Sequence, residues 1–111
     1  MRTLFHPPIE DVTVEALLHA LSDPVRVAIY AQIAGSDSAQ TCSDFLHVRD
    51  QTIPKSTLSH HFQVLREAGL IRSERQGVEM RSTSRGAELE KRFPGLIPSI
   101  VKAYRAAKRR G

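Results

Sequence analysis

Lys55-Ser56-Thr57-Leu58-Ser59-His60-His61-Phe62-Gln63-Val64-Leu65-Arg66-Glu67-Ala68-Gly69-Leu70-Ile71 reads as a two-faced helix, stopped by a glycine and followed at once by a strand. Leu58, Phe62 and Leu65 recur at i, i+4 and i+7, one buried stripe at helical spacing. Lys55, Ser56, Ser59, His60 and Gln63 fall outside that stripe, and each carries a hydrogen-bonding side chain. Short hydroxyls, an amide and an imidazole suit the floor of a DNA major groove, where small donors and acceptors reach base edges. Lys and Ser suit the phosphates beside it. An ordinary solvated helix face has the same composition, so this stretch alone leaves both readings open. Gly69 stands where a helix takes a left-handed residue to end. His60 and His61 are adjacent, about 100° apart around a helix. They cannot face one metal together, so His60 is assigned to the polar face and His61 to packing.

Downstream, Ile71-Arg72-Ser73-Glu74-Arg75 and Glu79-Met80-Arg81-Ser82-Thr83 predict a hairpin around Gln76-Gly77, with glycine supplying a positive φ. Arg75 lies near its tip, either in reach of a minor groove or a phosphate, or simply exposed. Upstream, Pro54 fits the helix's first turn and Thr52 is a candidate cap. His47 to Ile53 forms the turn into the helix, and Cys42-Ser43-Asp44-Phe45-Leu46 predicts a short helix before it. Thr13 caps a first helix whose Val14, Leu17, Leu18 and Leu21 form a stripe. Ser22 is expected to cap a second helix, with Asp23 near its positive end and Pro24 in its first turn. Val25, Ala28, Ile29 and Ile33 face inward along it, and Gly35 ends it. Pro7-Pro8 mark an irregular arm over residues 1–12.

The C-terminal segment begins near Ser84. Ala87 to Phe93 is helical and breaks at Pro94-Gly95. Leu96, Ile97, Ile100, Val101 and Tyr104 then recur at i, i+1, i+4, i+5 and i+8, a wide apolar face. A chain of 111 residues cannot easily cover both this face and the stripe on the first helix. Lys102, Arg105, Lys108, Arg109 and Arg110 form a basic, solvated tail.

Two of these segments carry a resemblance. Ser56-Thr57-Leu58-Ser59-His60-His61-Phe62, continued by Leu65-Arg66-Glu67-Ala68-Gly69-Leu70-Ile71, resembles the recognition helix and first wing strand of ArsR-type winged helix-turn-helix regulators. Ala20-Leu21-Ser22-Asp23-Pro24-Val25-Arg26 resembles that family's entry to its second helix. The two motifs stand in the family's order, and the resemblance covers about residues 11–107. It implies a mainly α fold with a small β-hairpin, dimerising through its first and last helices. It divides a single domain, 1–111, into an arm (1–12), a recognition helix (54–69), a wing (70–83) and a dimerisation segment (84–109). Leu17, Leu18, Leu96, Ile97, Ile100, Val101 and Tyr104 are then the dimer-interface candidates; packing of these faces onto the chain's own core is the alternative.

Length and composition agree with one small domain. There is no tryptophan and aromatics are 5%, so aliphatic side chains must build the core. No apolar run approaches a membrane span, the first residues lack a signal-peptide stretch, and one cysteine excludes an internal disulfide. A cytoplasmic protein without membrane association is expected. The net charge of +4 is unevenly spread. Residues 1–53 hold three basic against seven acidic residues, net −4; residues 54–111 hold thirteen against five, net +8. A polyanion-binding face needs such an asymmetry.

ArsR-type proteins are often metal sensors, so ligand sets matter. A thiolate site needs paired cysteines, and Cys42 is alone. The family's last-helix site uses Asp, His and Glu, and none of these follows Glu90. No metal site and no cofactor are therefore expected. Cys42 is either a single-thiol redox switch or a small buried apolar residue. No phosphate loop, zinc helix or activated nucleophile is present, so an enzyme is not expected. The reading is a dimeric regulator of double-stranded DNA, its effector unknown, in the manner of a repressor on an inverted repeat. Ser56, Ser59, His60 and Gln63 would read bases, while Lys55, Thr57, Arg72, Arg75 and Arg81 hold the backbone. The alternative is a winged-helix module for protein contact with little specific DNA binding.

Overall fold

The computed structural model describes residues 4–36, 40–41, 47–48 and 51–110. The short helix expected at 42–46, and Cys42 with it, lie outside the described residues. A 3-10 turn at Ile9–Asp11 leads into α1 (Val14–Ala20) and α2 (Pro24–Ala34). The short strands β1 (Gln40–Thr41), β2 (His47–Val48) and β3 (Gln51–Thr52) precede α3 (Lys55–Ala68). The hairpin β4 (Ile71–Gln76) and β5 (Glu79–Ser84) follows, then α4 (Gly86–Arg92) and α5 (Leu96–Arg110).

The helix starts follow local chemistry. Thr13 caps α1 as expected, its hydroxyl accepting from the Ala16 N–H at 3.1 Å. Asp23, not Ser22, caps α2: its carboxylate accepts from the N–H groups of Val25 at 2.8 Å and Arg26 at 3.1 Å. An anion at the positive end of a helix outcompetes a neutral hydroxyl. The Ser22 hydroxyl instead donates to the His19 carbonyl. Pro54 occupies the N-cap of α3 without a side-chain cap, and Thr52 lies back in β3. At the other end of α3, Gly69 is left-handed at φ 94°. The Leu70 N–H reaches back to the Leu65 carbonyl at 3.0 Å, closing a Schellman-type stop.

The hairpin turn is Gly77-Val78 rather than Gln76-Gly77, since Gln76 pairs with Glu79 and Gly77 takes φ 65°. The wing gains a third strand: Gln40 and Thr41 pair with Ser82 and Arg81, giving the antiparallel order β1-β5-β4. The turn before α3 also holds the β2–β3 ladder, His47 opposite Thr52.

The core gathers where α1, α2 and α3 meet the base of the wing. Leu17, Ile29, Tyr30, Leu58, Leu65, Leu70, Ile71 and Leu89 are essentially inaccessible, and Phe62 nearly so. The stripe expected on α3 is the buried one. On α2 the buried face is wider than expected, because Arg26, Val27 and Tyr30 join Ile29 and Ile33 while Val25 and Ala28 are only partly covered. Arg26 is tolerated there because its guanidinium donates to the carbonyls of Ala20 and His19 and lies near Asp23.

The N-terminal arm is tied down by hydrogen bonds from the wing and α4. Nε2 of His6 accepts from the Ser73 N–H at 3.0 Å, which is available because β4 is the sheet's edge. Arg85 donates to the Pro7 carbonyl, and Arg92 to the carbonyls of Ile9 and Val12.

Candidate nucleic-acid interface

Helix α3 presents its two faces as the periodicity requires. Leu58, His61, Phe62, Leu65 and Ala68 are buried, whereas Lys55, Ser56, Thr57, Ser59, His60 and Gln63 are exposed. Every reading residue expected on this helix therefore faces solvent. One of them is already engaged: the Gln63 amide donates to the Glu67 carboxylate one turn on, at 3.0 Å. That amide must leave Glu67, or turn its carbonyl outward, to meet a base.

The two histidines separate as expected. His60 is exposed and His61 is buried, with its Nδ1 lacking a hydrogen-bond partner. Burial lowers the His61 pKa; the Asp23 carboxylate opposes this, while Arg26 and His60 reinforce it. His61 thus belongs to the packed face of α3, beside the capped end of α2, and not to its exposed face.

The wing arginines do not act as one cluster. Side chains alternate along a strand and share a face with their cross-strand partners. Arg72 and Glu74 lie on one face of β4, and Glu74 pairs with Arg81 across to β5. Carboxylates crowd that face: Arg72 lies 3.6 Å from Glu88, and Arg81 lies 3.4 Å from Glu79. Arg75 is on the opposite face, next to Met80 and beyond the buried Ser73–Ser82 hydroxyl pair. Among the described residues it has no carboxylate partner. Val78 at the tip is 95% exposed, an apolar turn residue that charge and periodicity did not single out.

Part of the basic C-terminal half also turns out to be structural. Arg85 is buried, forked onto Glu88 at 2.9 and 3.1 Å and onto the Pro7 carbonyl. That contact, together with Arg72, outweighs burial and holds the Glu88 carboxyl below its ordinary range. Arg105 is not a free tail residue: it donates to the Ala31 carbonyl at 3.0 Å. Charge counting cannot find this, because a guanidinium bound to a carbonyl counts the same as one in water.

The expected dimer residues divide into two sets. Leu17, Ile97 and Val101 are buried in the chain's own core and offer almost no surface to a partner. Leu18 is 49% exposed, and Leu96, Ile100 and Tyr104 are only partly covered. On α5 the wide apolar face thus resolves into an inner stripe, 97 and 101, and an outer stripe, 96, 100 and 104. Among the described residues, no three His, Cys, Asp or Glu side chains come together in a metal-binding group, and no helix is long and apolar enough to cross a membrane.

Comparison with known proteins agrees with this geometry. The family described as Helix-turn-helix domain matches residues 21–74, from the end of α1 to the middle of β4. The chain is similar to the HTH-type transcriptional repressor SmtB of Mycobacterium tuberculosis, strains CDC 1551 and H37Rv. It is 36% identical over 67% of its own length and 53% of theirs, so it spans about half the length of these relatives. Among solved structures it is similar to an ArsR-like transcriptional regulator from Rhodococcus sp. RHA1, with TM-score 0.57 and 24% identity over 86% of this chain and 82% of that one. It is also similar to reduced HlyU from Vibrio cholerae N16961, with TM-score 0.56 and 21% identity over 72% and 87%. These likenesses support the fold, and the match to SmtB supports the lineage: the chain belongs to the ArsR-type winged helix-turn-helix family.

Proposed function

We propose that this chain is a sequence-specific DNA-binding transcriptional regulator acting as a homodimeric repressor. The observation that carries this reading is the face of α3. Six exposed polar side chains lie opposite a fully buried apolar stripe, on a helix whose C-terminal stop leads straight into the wing. Ser56, Ser59, His60 and Gln63 read base edges in the major groove, and Lys55 and Thr57 take phosphates. Arg75 is the wing's principal phosphate contact. Arg72 and Arg81 are secondary, because their carboxylate neighbours must be displaced or tolerated. Leu18, Leu96, Ile100 and Tyr104 form the dimer seam, placing two copies of α3 one DNA turn apart. The relatives named as transcriptional repressors favour repression over activation. Metal ions are not the signal in this proposal, since the chain holds one cysteine and no Asp, His or Glu after Glu90.

A second reading, a protein-contact module, draws on the acids Glu67, Glu74 and Glu79 beside the supposed DNA contacts. The test is binding of the purified protein to the DNA upstream of its own coding sequence at two salt concentrations, with random duplex as competitor. Specific regulation requires competitor-resistant binding that weakens steeply as salt rises. Binding no tighter than to random duplex, at either salt, supports the protein-contact reading.

A further inference from the structure

We propose that the cavity between α2, α4 and α5 binds a small organic anion with an apolar body. The cavity measures about 450 Å³ and is bordered by Tyr30, Ile97 and Val101. That volume lies within the usual range for small-molecule sites, roughly 300–1,000 Å³. Its openness comes from residues with little or no side chain: Ala34, Gly86 and Ala87 all line it. At Gly86 a Cβ would come within 3.1 Å of the Ser84 hydroxyl and 3.5 Å of the Tyr30 hydroxyl, so any larger residue fills the floor. Those two hydroxyls are bonded to each other at 2.8 Å, leaving a floor whose polar groups are already satisfied. An apolar body therefore meets no unpaired group there.

The rim chooses the charge. Arg105 and Glu90 both reach the mouth. Both Glu90 carboxylate oxygens accept from the Gly95 N–H, at 3.0 and 3.1 Å, which fixes them at the junction of α4 and α5 without cancelling their charge. Arg105 donates one N–H to the Ala31 carbonyl and, among the described residues, has no carboxylate partner. A guanidinium offers five donors in a planar fork, so Arg105 can hold Ala31 and grip a carboxylate at once. A ligand seated here touches α2, which packs on α3, and α5, which carries the outer apolar stripe. If the proposed DNA reading holds, the site is where an effector changes the spacing of the two α3 helices. The site itself does not depend on that reading.

The test is titration of the full chain with benzoate, followed by 1H–15N NMR, with benzyl alcohol as the uncharged and benzylamine as the cationic counterpart. Benzoate is expected to give saturable, millimolar shifts at the amides of Ala34, Gly86, Ala87 and Val101. Benzyl alcohol and benzylamine should bind about tenfold more weakly. Arg105→Met should bring benzoate down to the level of the alcohol, and Ala87→Trp, at an exposed position that fills the mouth, should abolish binding. Equal binding of all three probes, shifts scattered elsewhere, or no effect of Arg105→Met would overturn the proposal. Because the readout needs no DNA, benzoate binding in a protein that ignores DNA would leave the site standing and remove only its regulatory role.

Discussion

Gly69→Ala tests how the arm, the reading helix and the wing are joined. Gly69 stops α3 at φ 94°, and a Cβ built there would lie 2.5 Å from Cγ2 of Val12, whose side chain is 2% exposed. The left-handed backbone costs an L-residue roughly 1–2 kcal/mol. Forcing a methyl into a packed contact adds about 1–3 kcal/mol. The variant should lose about 2–5 kcal/mol in all, which for a chain of this size lowers Tm by roughly 8–20 °C. Gly77→Ala is the control: it shares the positive φ, at 65°, but a Cβ there meets nothing within 4 Å. It should lose only the backbone share, about 1–2 kcal/mol. Val12→Ala separates the two contributions, since it deletes the methyls that Gly69→Ala would strike. In urea unfolding, the double variant should be about 1–3 kcal/mol more stable than the sum of the single losses predicts. Additivity within about 0.5 kcal/mol would show that Val12 is not what excludes a side chain at 69, and would refute the packing argument.

The DNA reading divides in the same way by variant. Gln63→Ala should relax preference at one base position, costing roughly 1–3 kcal/mol there, whereas Arg75→Ala should weaken binding on every sequence and flatten the salt dependence. A uniform loss for Gln63→Ala, or no loss for Arg75→Ala, contradicts those roles. Leu18→Glu should shift the protein toward monomer in analytical ultracentrifugation and remove any dependence of Tm on protein concentration, since Leu18 is half exposed in the single chain; an unchanged sedimentation profile removes Leu18 from the seam. Stability should also depend on pH through His6 and His61. Burial lowers the His6 pKa, with Arg72, Arg66 and Arg85 adding to it and a backbone bond at Leu4 opposing, and burial likewise lowers that of His61. The unfolded chain therefore binds these protons first, so stability is complete above pH 6.5 and is lost as pH falls below it. Replacing both residues with Gln should flatten the urea midpoint across that window, and a slope that survives the double change would assign it to other groups.

Periodicity made much of the fold legible, and where it failed the reasons are specific. Leu58, Phe62 and Leu65 are buried because a stripe at helical spacing on a two-faced helix has only one side to hide. The same rule could not rank Leu17 against Leu18, or Ile97 against Ile100, because spacing gives a direction on the helix and not the element that covers it. Gln40-Thr41 carries no strand signal of its own and pairs because β5 offers a free edge. Ser22 is the expected cap of α2, but Asp23 takes the place because its charged carboxylate suits the helix's positive end better than a hydroxyl. In the site, the polar face of α3 was legible residue by residue. The division of the wing arginines was not, because it depends on cross-strand register and on Glu88, which arrives from α4.

The arginines show why an asymmetric charge can be structural and still attract a polyanion. Arg26, Arg85, Arg92 and Arg105 all donate to backbone carbonyls, three of them linking segments more than seventy residues apart. A planar guanidinium that stays charged at every physiological pH suits that task. A carbonyl is neutral, however, so such a bond orders the side chain without cancelling its charge. Only the pairs of Arg26 with Asp23, of Arg72 and Arg85 with Glu88, and of Arg81 with Glu79 neutralise charge locally among the described residues. The net +4 therefore still steers the chain toward an anionic partner at long range. Close contact is left to exposed side chains, which on this reading are those of α3, with Gln63 exchanging its bond to Glu67, and Arg75. Removing a structural arginine should accordingly cost stability first, with a smaller, salt-screened loss of DNA affinity from the missing charge. Removing Lys55 or Arg75 should cost affinity while leaving Tm unchanged.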